Sequence, residues 1–271
     1  MSEAIRVSGL RKRYGRHTVL KGLDLRIGTG EIFALLGVNG AGKTTALECI
    51  EGLRAYDGGT ISVNGKMGIQ LQSSSLPAHI KPMEAVKLFA KWNRVQADGT
   101  MLEALGIGEI EGTSYARLST GQKRRLHLAL ALIRDPDIVF LDEPTAGLDV
   151  EGRLSLHGQI RQLKAQGKTV VLASHDMAEV EALCDRLAIL HDGQLVFCGT
   201  AAELTDKIGK RYRIHIQTQQ GRDTLETDSI EDTLLSLLRE LKQNGVRVLD
   251  IRVDRGTLEQ HFIEMARRLA H

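Results

Sequence analysis

The sequence predicts an α/β fold built on a mixed sheet, and three observations carry that reading. Ile32-Phe33-Ala34-Leu35-Leu36 is an unbroken apolar run of strand length, the pattern of a strand buried on both faces. Ile138-Val139-Phe140-Leu141 and the stretch Thr169–Ala173 repeat that pattern. Segments of helical character lie between these runs. Strands alternating with helices make a sheet covered by helices, whose active edge lies at the strand C-termini.

Each element follows in chain order. Residues 1 to about 30 read as an antiparallel β subdomain. Ile5-Arg6-Val7 and Leu23-Asp24-Leu25-Arg26-Ile27 alternate with period two, and Tyr14-Gly15 lies in the turn between them. A glycine-rich loop follows the first buried run and opens a helix from about residue 42 to 50; a strand is expected over 67–71. Residues about 77–133 form a compact helical subdomain, with Pro82 opening one segment and Pro136 closing another. A helix over 151–166 separates two buried strands, and Asp192-Gly193 joins two short strands as a hairpin turn.

A boundary is expected near 205, giving a domain of residues 1–205 and a small C-terminal α/β module of residues 206–271. In the module, Tyr212, Ile214 and Ile216 alternate with Arg213, His215 and Gln217 as a half-buried strand. A helix carries Ile230, Leu234, Leu237, Leu238 and Leu241 on one face, with Ser229 as cap and Gly245 as stop. A strand over 246–253 and a helix carrying Leu258, Phe262, Met265 and Leu269 complete it.

Composition narrows the function. Of 271 residues, 42% are apolar and 26% charged, the make-up of an ordinary globular protein. Aromatics at 4% argue against base-stacking platforms. With 36 basic and 34 acidic residues, charge alone points to no nucleic-acid partner. The basic run Lys123-Arg124-Arg125 reads as a solvated or phosphate-adjacent helix face. Cys49, Cys184 and Cys198 have no metal-like spacing and read as buried thiols in a reducing compartment. His127 and His157 lack ligand-spaced companions. The start lacks the apolar stretch of a secretion signal, and no run approaches the ~18 apolar residues of a spanning helix, so a cytoplasmic location is expected.

The chemistry concentrates in two places. Gly37-Val38-Asn39-Gly40-Ala41-Gly42-Lys43-Thr44 fits G-x-x-x-x-G-K-[ST] directly after a buried strand and before a helix, the mark of a P-loop NTPase core. Backbone N–H groups of such a loop point at phosphate oxygens, and the helix N-terminus adds positive potential. The expected nucleotide-binding set is Gly37, Asn39, Gly40, Ala41, Gly42, Lys43, Thr44 and Thr45. Lys43 supplies charge between the β- and γ-phosphates, and Thr44 offers a hydroxyl to Mg²⁺. The second place is the end of the strand that runs into Asp142-Glu143. Asp142 is placed to orient the Mg²⁺ shell, and Glu143 to polarise a water for in-line attack on the γ-phosphorus.

Leu118-Ser119-Thr120-Gly121-Gln122 resembles the L-S-G-G-Q signature of ATP-binding cassette (ABC) proteins, with Thr120 where glycine is most frequent. The resemblance covers residues 1 to about 205. It implies that this helix start, through Ser119, Gly121 and Gln122, meets the γ-phosphate bound by a second nucleotide-binding subunit, so that each active site is split across a dimer, homomeric by expectation. The short interval between Lys43 and Ser119 implies a compact helical subdomain. Tyr14 stands where the family stacks an aromatic on adenine. Gln72 resembles the glutamine that reaches the Mg²⁺-nucleotide site and the transmembrane partner, with Gln70 a weaker candidate. Thr145-Ala146-Gly147-Leu148-Asp149 resembles the D-loop of the dimer seam, followed by Val150 where proline is common. His175 resembles the switch histidine. The resemblance thus implies Glu143, His175, Lys43 and Gln72 as catalytic residues, Thr44, Gln72 and Asp142 around Mg²⁺, and ATP as the substrate.

Thr257-Leu258-Glu259-Gln260-His261-Phe262 looks like the ending of drug, antibiotic and polysaccharide exporter subunits. The expected function is an ATPase at the inner membrane face that drives export through separate permease subunits. Import remains open. A soluble relative acting on DNA or ribosomes usually carries two cassettes or long inserts, and a small-molecule kinase would have no use for residues 118–122 or 145–149.

Overall fold

The computed structural model describes residues 2–38, 40–70, 75–174, 176–208 and 212–255. Asn39, Leu71, Gln72, His175 and the ending at 257–269, all singled out from the sequence, lie outside the described residues. The chain divides into two compact units, Met1–Cys198 and Gly199–His271.

The first unit opens with two long strands, β1 (Glu3–Tyr14) and β2 (His17–Gly28), paired antiparallel from Glu3↔Gly28 to Tyr14↔His17. A third strand, β4 (Gly58–Val63), pairs with the other side of β1. The sequence reading lacks β4. Its glycine pair hides the alternation, and only its partner β1 makes it a strand. Ile5, Val7, Leu10, Leu20, Leu23, Leu25 and Ile27 all point inward and are buried.

The main sheet holds β3 (Ile32–Leu36), β5 (Met67–Gln70), β6 (Ile138–Asp142), β7 (Thr169–Ala173), β8 (Arg186–His191) and β9 (Gln194–Gly199), in the order β5-β6-β7-β3-β8-β9. From β5 to β8 neighbouring strands run parallel. The turn Asp192-Gly193 between β8 and β9 has positive φ at both residues, 45° and 74°, the primed turn that reverses a chain between adjacent strands. The sheet is therefore mixed. Every residue of β3 and β7 is buried, as two-faced strands require. Phe33 and Phe140 are among the largest wholly buried side chains.

Between β5 and β6 the described elements are all helical: α2 (Pro82–Asn93), α3 (Gly99–Ala104), two 3₁₀ turns and α4 (Thr120–Leu132). Lys81-Pro82 and Glu84 begin α2, and Glu84 accepts the Lys81 N–H at 2.9 Å. Two more helices flank the sheet, α5 (Val150–Ala165), capped by Asp149, and α6 (Met177–Leu183), capped by Asp176. The remaining helix of this unit, α1 (Lys43–Ile50), follows β3.

The cysteines depart from the expected uniform burial. Cys49 is buried, Cys184 half-buried and Cys198 exposed. On the edge strand β9, Phe197 points in and Cys198 therefore points out, where Arg186 Nη2 approaches its Sγ at 3.4 Å.

The second unit has α7 (Ala201–Ile208) and an antiparallel sheet in the order β11-β10-β12, from β10 (Tyr212–Thr218), β11 (Gly221–Thr227) and β12 (Val248–Arg255). Ile214 and Ile216 are buried, and α8 (Ile230–Gln243) lies against β10. Ser229 caps α8 by accepting the Asp232 N–H. β11 is absent from the sequence reading because it is an edge strand with mostly exposed polar positions.

Candidate functional site

Strands β6, β7 and β3 are parallel neighbours, so their C-terminal ends share one edge of the sheet. β3 ends at Leu36 and α1 begins at Lys43, with the glycine-rich loop between them. Gly40 and Gly42 have φ of 84° and 103°, a backbone that favours glycine. A side chain at Gly42 would also be crowded, since a Cβ there would lie 3.0 Å from Leu20 Cδ2 and 3.2 Å from the Val19 carbonyl oxygen. Inside the loop the Ala41 N–H donates to the Val38 carbonyl at 3.1 Å.

A neighbouring turn braces this loop. The Gly193 N–H donates to the Ala41 carbonyl at 3.1 Å, and the Lys21 N–H donates to the Gly193 carbonyl at 2.9 Å. A Cβ on Gly193 would come within 2.1 Å of the Val19 carbonyl oxygen, so only glycine lets the β8–β9 turn press this close. The hairpin expected from Asp192-Gly193 thus also supports the phosphate loop.

Lys43 begins α1 and is 8% exposed. Its Nζ arches back over the loop and donates to the Gly37 carbonyl at 2.6 Å. Burial lowers the ammonium's pKa, while the nearby charges of Glu143 and Asp142 oppose that shift. Loop amides, a helix N-terminus and a desolvated ammonium at one place form a receptor for phosphate oxygens.

The two carboxylates stand beside it. Asp142 ends β6 opposite Ala173, and the Glu143 N–H extends the pairing by donating to the Ala173 carbonyl at 3.0 Å. Glu143 has a φ of 49°, left-handed backbone for a residue with a side chain, of the kind stored where geometry is over-determined. Burial raises the pKa of Asp142 and the charge of Glu143 raises it further, with Lys43 and Arg124 pulling it back. A half-buried carboxylate crowded by its neighbour supplies hard oxygen donors of the kind that fit Mg²⁺, and the Thr44 hydroxyl of the loop is a further oxygen of that type.

Two further residues belong to this neighbourhood, Arg124 on the phosphate-adjacent alternative of the sequence reading and Glu51 with no signal in the sequence. Arg124, from the basic run on α4, is half-buried with its charge near Asp142 and Glu143 rather than on a solvated face. Glu51, just past α1, is 7% exposed, and burial followed by the charges of Asp142 and Glu48 pushes its carboxyl up to about 7. The folded chain therefore binds this proton more tightly than the unfolded chain. Ionising Glu51 subtracts stability as pH rises from the ordinary carboxylate range through about 7. In nucleotide-free protein, Glu51→Gln is expected to raise the melting temperature at pH 8 by roughly 2–6 °C. The gain should shrink steadily as the pH is lowered towards 5, and a gain independent of pH would show that this proton is not involved.

The signature segment lies elsewhere in the chain's own structure. Ser119 caps α4, its Oγ accepting the Gln122 N–H at 3.2 Å while the Gln122 side-chain carbonyl accepts the Ser119 N–H at 2.9 Å. Ser119, Gly121 and Gln122 line a cavity of about 480 Å³ together with Gly147, Leu148 and Asp149, and no described residue of the phosphate loop lines it. Lys43 is not among the residues that line this cavity.

Tyr14 ends β1 and is 42% exposed. Lys12 Nζ and Arg54 Cζ lie 5.3 and 5.5 Å from its ring centroid, so cations already meet this aromatic. The weaker candidate Gln70 is 2% exposed at the end of β5, and neither of its side-chain polar atoms has a hydrogen-bond partner among the described residues.

Comparison with known proteins adds to this geometry. The profile of the family described as ABC transporter matches residues 20–146. Daunorubicin resistance ATP-binding protein DrrA3 of Streptomyces coeruleorubidus is 30% identical over 303 residues, covering 97% of this chain and 95% of the relative. The chain belongs to the ABC transporter family. Another ABC relative, Nod factor export ATP-binding protein I of Paraburkholderia xenovorans, is 36% identical over 219 residues, covering 74% of this chain and 72% of the relative. A solved ATP-binding subunit of an ABC transporter has a TM-score of 0.68 at 26% identity, covering 75% of this chain and 92% of that one. As an ABC ATPase the chain binds and hydrolyses ATP. Among the described residues, no helix is long and apolar enough to cross a membrane.

Proposed function

We propose that the chain binds Mg-ATP, pairs with a second copy around two nucleotides, and powers export through separate membrane subunits. The observation that carries this reading is the gathering of the phosphate loop, Lys43, Asp142 and Glu143 at one sheet edge, with Ser119 lining a cavity that no described residue of the loop lines. Export is supported by relatives named for drug resistance and Nod factor export, the first matched over nearly the whole chain.

In this reading the backbone N–H groups of residues 37–45 and the Lys43 ammonium hold the phosphates, and Tyr14 offers its ring to adenine. Thr44 and Asp142 would hold Mg²⁺, which supplies charge neutralisation on the phosphate oxygens. Glu143 orients water and accepts its proton during attack at the γ-phosphorus. Ser119, Gly121 and Gln122 face the γ-phosphate of the partner copy, where the Ser119 hydroxyl and the first N–H groups of α4 are hydrogen-bond donors. Gln72 and His175 keep the roles that motif order assigns them. Closure on ATP and opening after hydrolysis form the gating cycle.

The membrane partner needs an apolar landing surface, and α2 carries one. Leu88 and Trp92, one helical turn apart, are 53% and 77% exposed. A tagged chain expressed in its own cells and extracted in mild detergent should elute with an integral membrane protein. Leu88→Asp combined with Trp92→Asp should cut that recovery at least about tenfold while leaving the ATPase of the purified chain unchanged. Full recovery with the double variant would place the contact elsewhere, and elution of the wild type without any membrane protein would overturn the transport reading.

A further inference from the structure

Glu179, on α6, is a carboxylic acid only 3% exposed, outside the phosphate site. Charged side chains are almost never buried this deeply without partners. Its partners come from two different exits of the main sheet. The Ser174 hydroxyl, just past β7, donates to Glu179 Oε2 at 2.6 Å. The Thr145 hydroxyl, just past β6 and itself 5% exposed, lies close enough to the same carboxylate to oppose the rise that burial gives its pKa. The other oxygen, Oε1, faces His157 Nε2 of α5 at 3.8 Å, and neither of those two atoms has a hydrogen-bond partner among the described residues.

Each hydroxyl is tied onward to the reaction edge. Thr145 follows Glu143 by two positions, and the Ala146 N–H closes a turn onto the Glu143 carbonyl at 3.2 Å. Ser174 precedes His175 in sequence. Its N–H reaches the Leu35 carbonyl at the end of β3 at 3.4 Å, and its Oγ accepts the Asp176 N–H at 3.1 Å. Asp176 also caps α6 and pairs with Arg153 of α5 at 3.0 Å. One buried carboxylate therefore fastens the exit of β6 to the exit of β7, and through Ser174 to the strand that delivers the phosphate loop.

We infer that Glu179 is a positioning residue of ATP hydrolysis, its carboxylate holding the Thr145 and Ser174 hydroxyls so that Glu143 keeps its register with the bound γ-phosphate. The inference rests on the ATPase reading above. A misplacement of a catalytic group by about 1 Å costs on the order of 10²-fold in rate, whereas nucleotide affinity depends on the loop and Lys43, which Glu179 does not touch.

The test compares Glu179→Ala, Glu179→Gln, Thr145→Val and Ser174→Ala in the full-length chain, with Mg-ATP, at a temperature below every variant's melting point. Glu179→Ala is expected to lower kcat roughly 10- to 100-fold with KM for ATP within about threefold of wild type. Glu179→Gln should recover most of that rate, because its carbonyl still accepts both hydroxyl protons and its NH₂ can donate to His157. Thr145→Val and Ser174→Ala should each lose a smaller part of kcat. A purely structural role predicts instead a lower melting temperature with kcat unchanged, or Glu179→Gln as impaired as Glu179→Ala. Either outcome overturns the inference. Should Glu179→Ala fail to fold, the two hydroxyl variants decide, and wild-type kcat in both sinks it. Glu143→Gln runs beside them: wild-type turnover there would refute the site reading itself, whatever the Glu179 variants do.

Discussion

Glu143→Gln is expected to slow ATP turnover by at least about 10²-fold while ATP affinity stays within a few-fold of wild type. A positioned general base contributes roughly 10²–10⁴-fold, and glutamine keeps the shape of glutamate without its capacity to take a proton. The backbone argument favours a clean experiment. Glu143 sits at a φ of 49°, held by its N–H to Ala173 and by the turn that Ala146 closes on its carbonyl, and none of this involves the side chain. Binding should survive because Lys43 and the loop amides are untouched. With hydrolysis blocked, ATP should accumulate in a paired form that elutes earlier in gel filtration. A variant with normal turnover would remove Glu143 from the chemistry.

Lys43→Ala is expected to weaken ATP binding by roughly 10- to 100-fold, the loss of one charge-assisted contact of about 1.5–3 kcal/mol. The lysine has a second task that makes the substitution severe. It is the cation that holds down the carboxyl of Asp142 together with Arg124, so its removal leaves two crowded carboxylates facing incoming phosphates. Calorimetric titration of nucleotide into the variant reads the effect directly, and an unchanged dissociation constant would contradict the proposed phosphate grip.

What the sequence disclosed and what it hid follow from how far apart the interacting residues lie. β3, β6 and β7 are legible because parallel strands buried on both faces must be continuously apolar. The loop at 37–44 is legible because its chemistry needs glycines and a lysine in one short stretch. β4 and β11 are poorly legible, since an edge strand takes its identity from its partner. Arg124 reads as one charge in a basic run until the fold brings that charge near Asp142 and Glu143. Glu51 shows nothing unusual in sequence, because its environment consists of Asp142 and an enclosing core from far along the chain. Gly193 looks like any hairpin glycine, and its contact with Ala41 spans the whole first unit.

No described residue of the loop that carries Lys43 lines the cavity beside Ser119. Under the proposed pairing, each polypeptide contributes complementary halves to two reaction centres and completes neither by itself. Specific activity per molecule then ceases to be a constant of the enzyme. It should decline on dilution, with the rate varying as the square of concentration where monomers predominate, and become linear once pairs do.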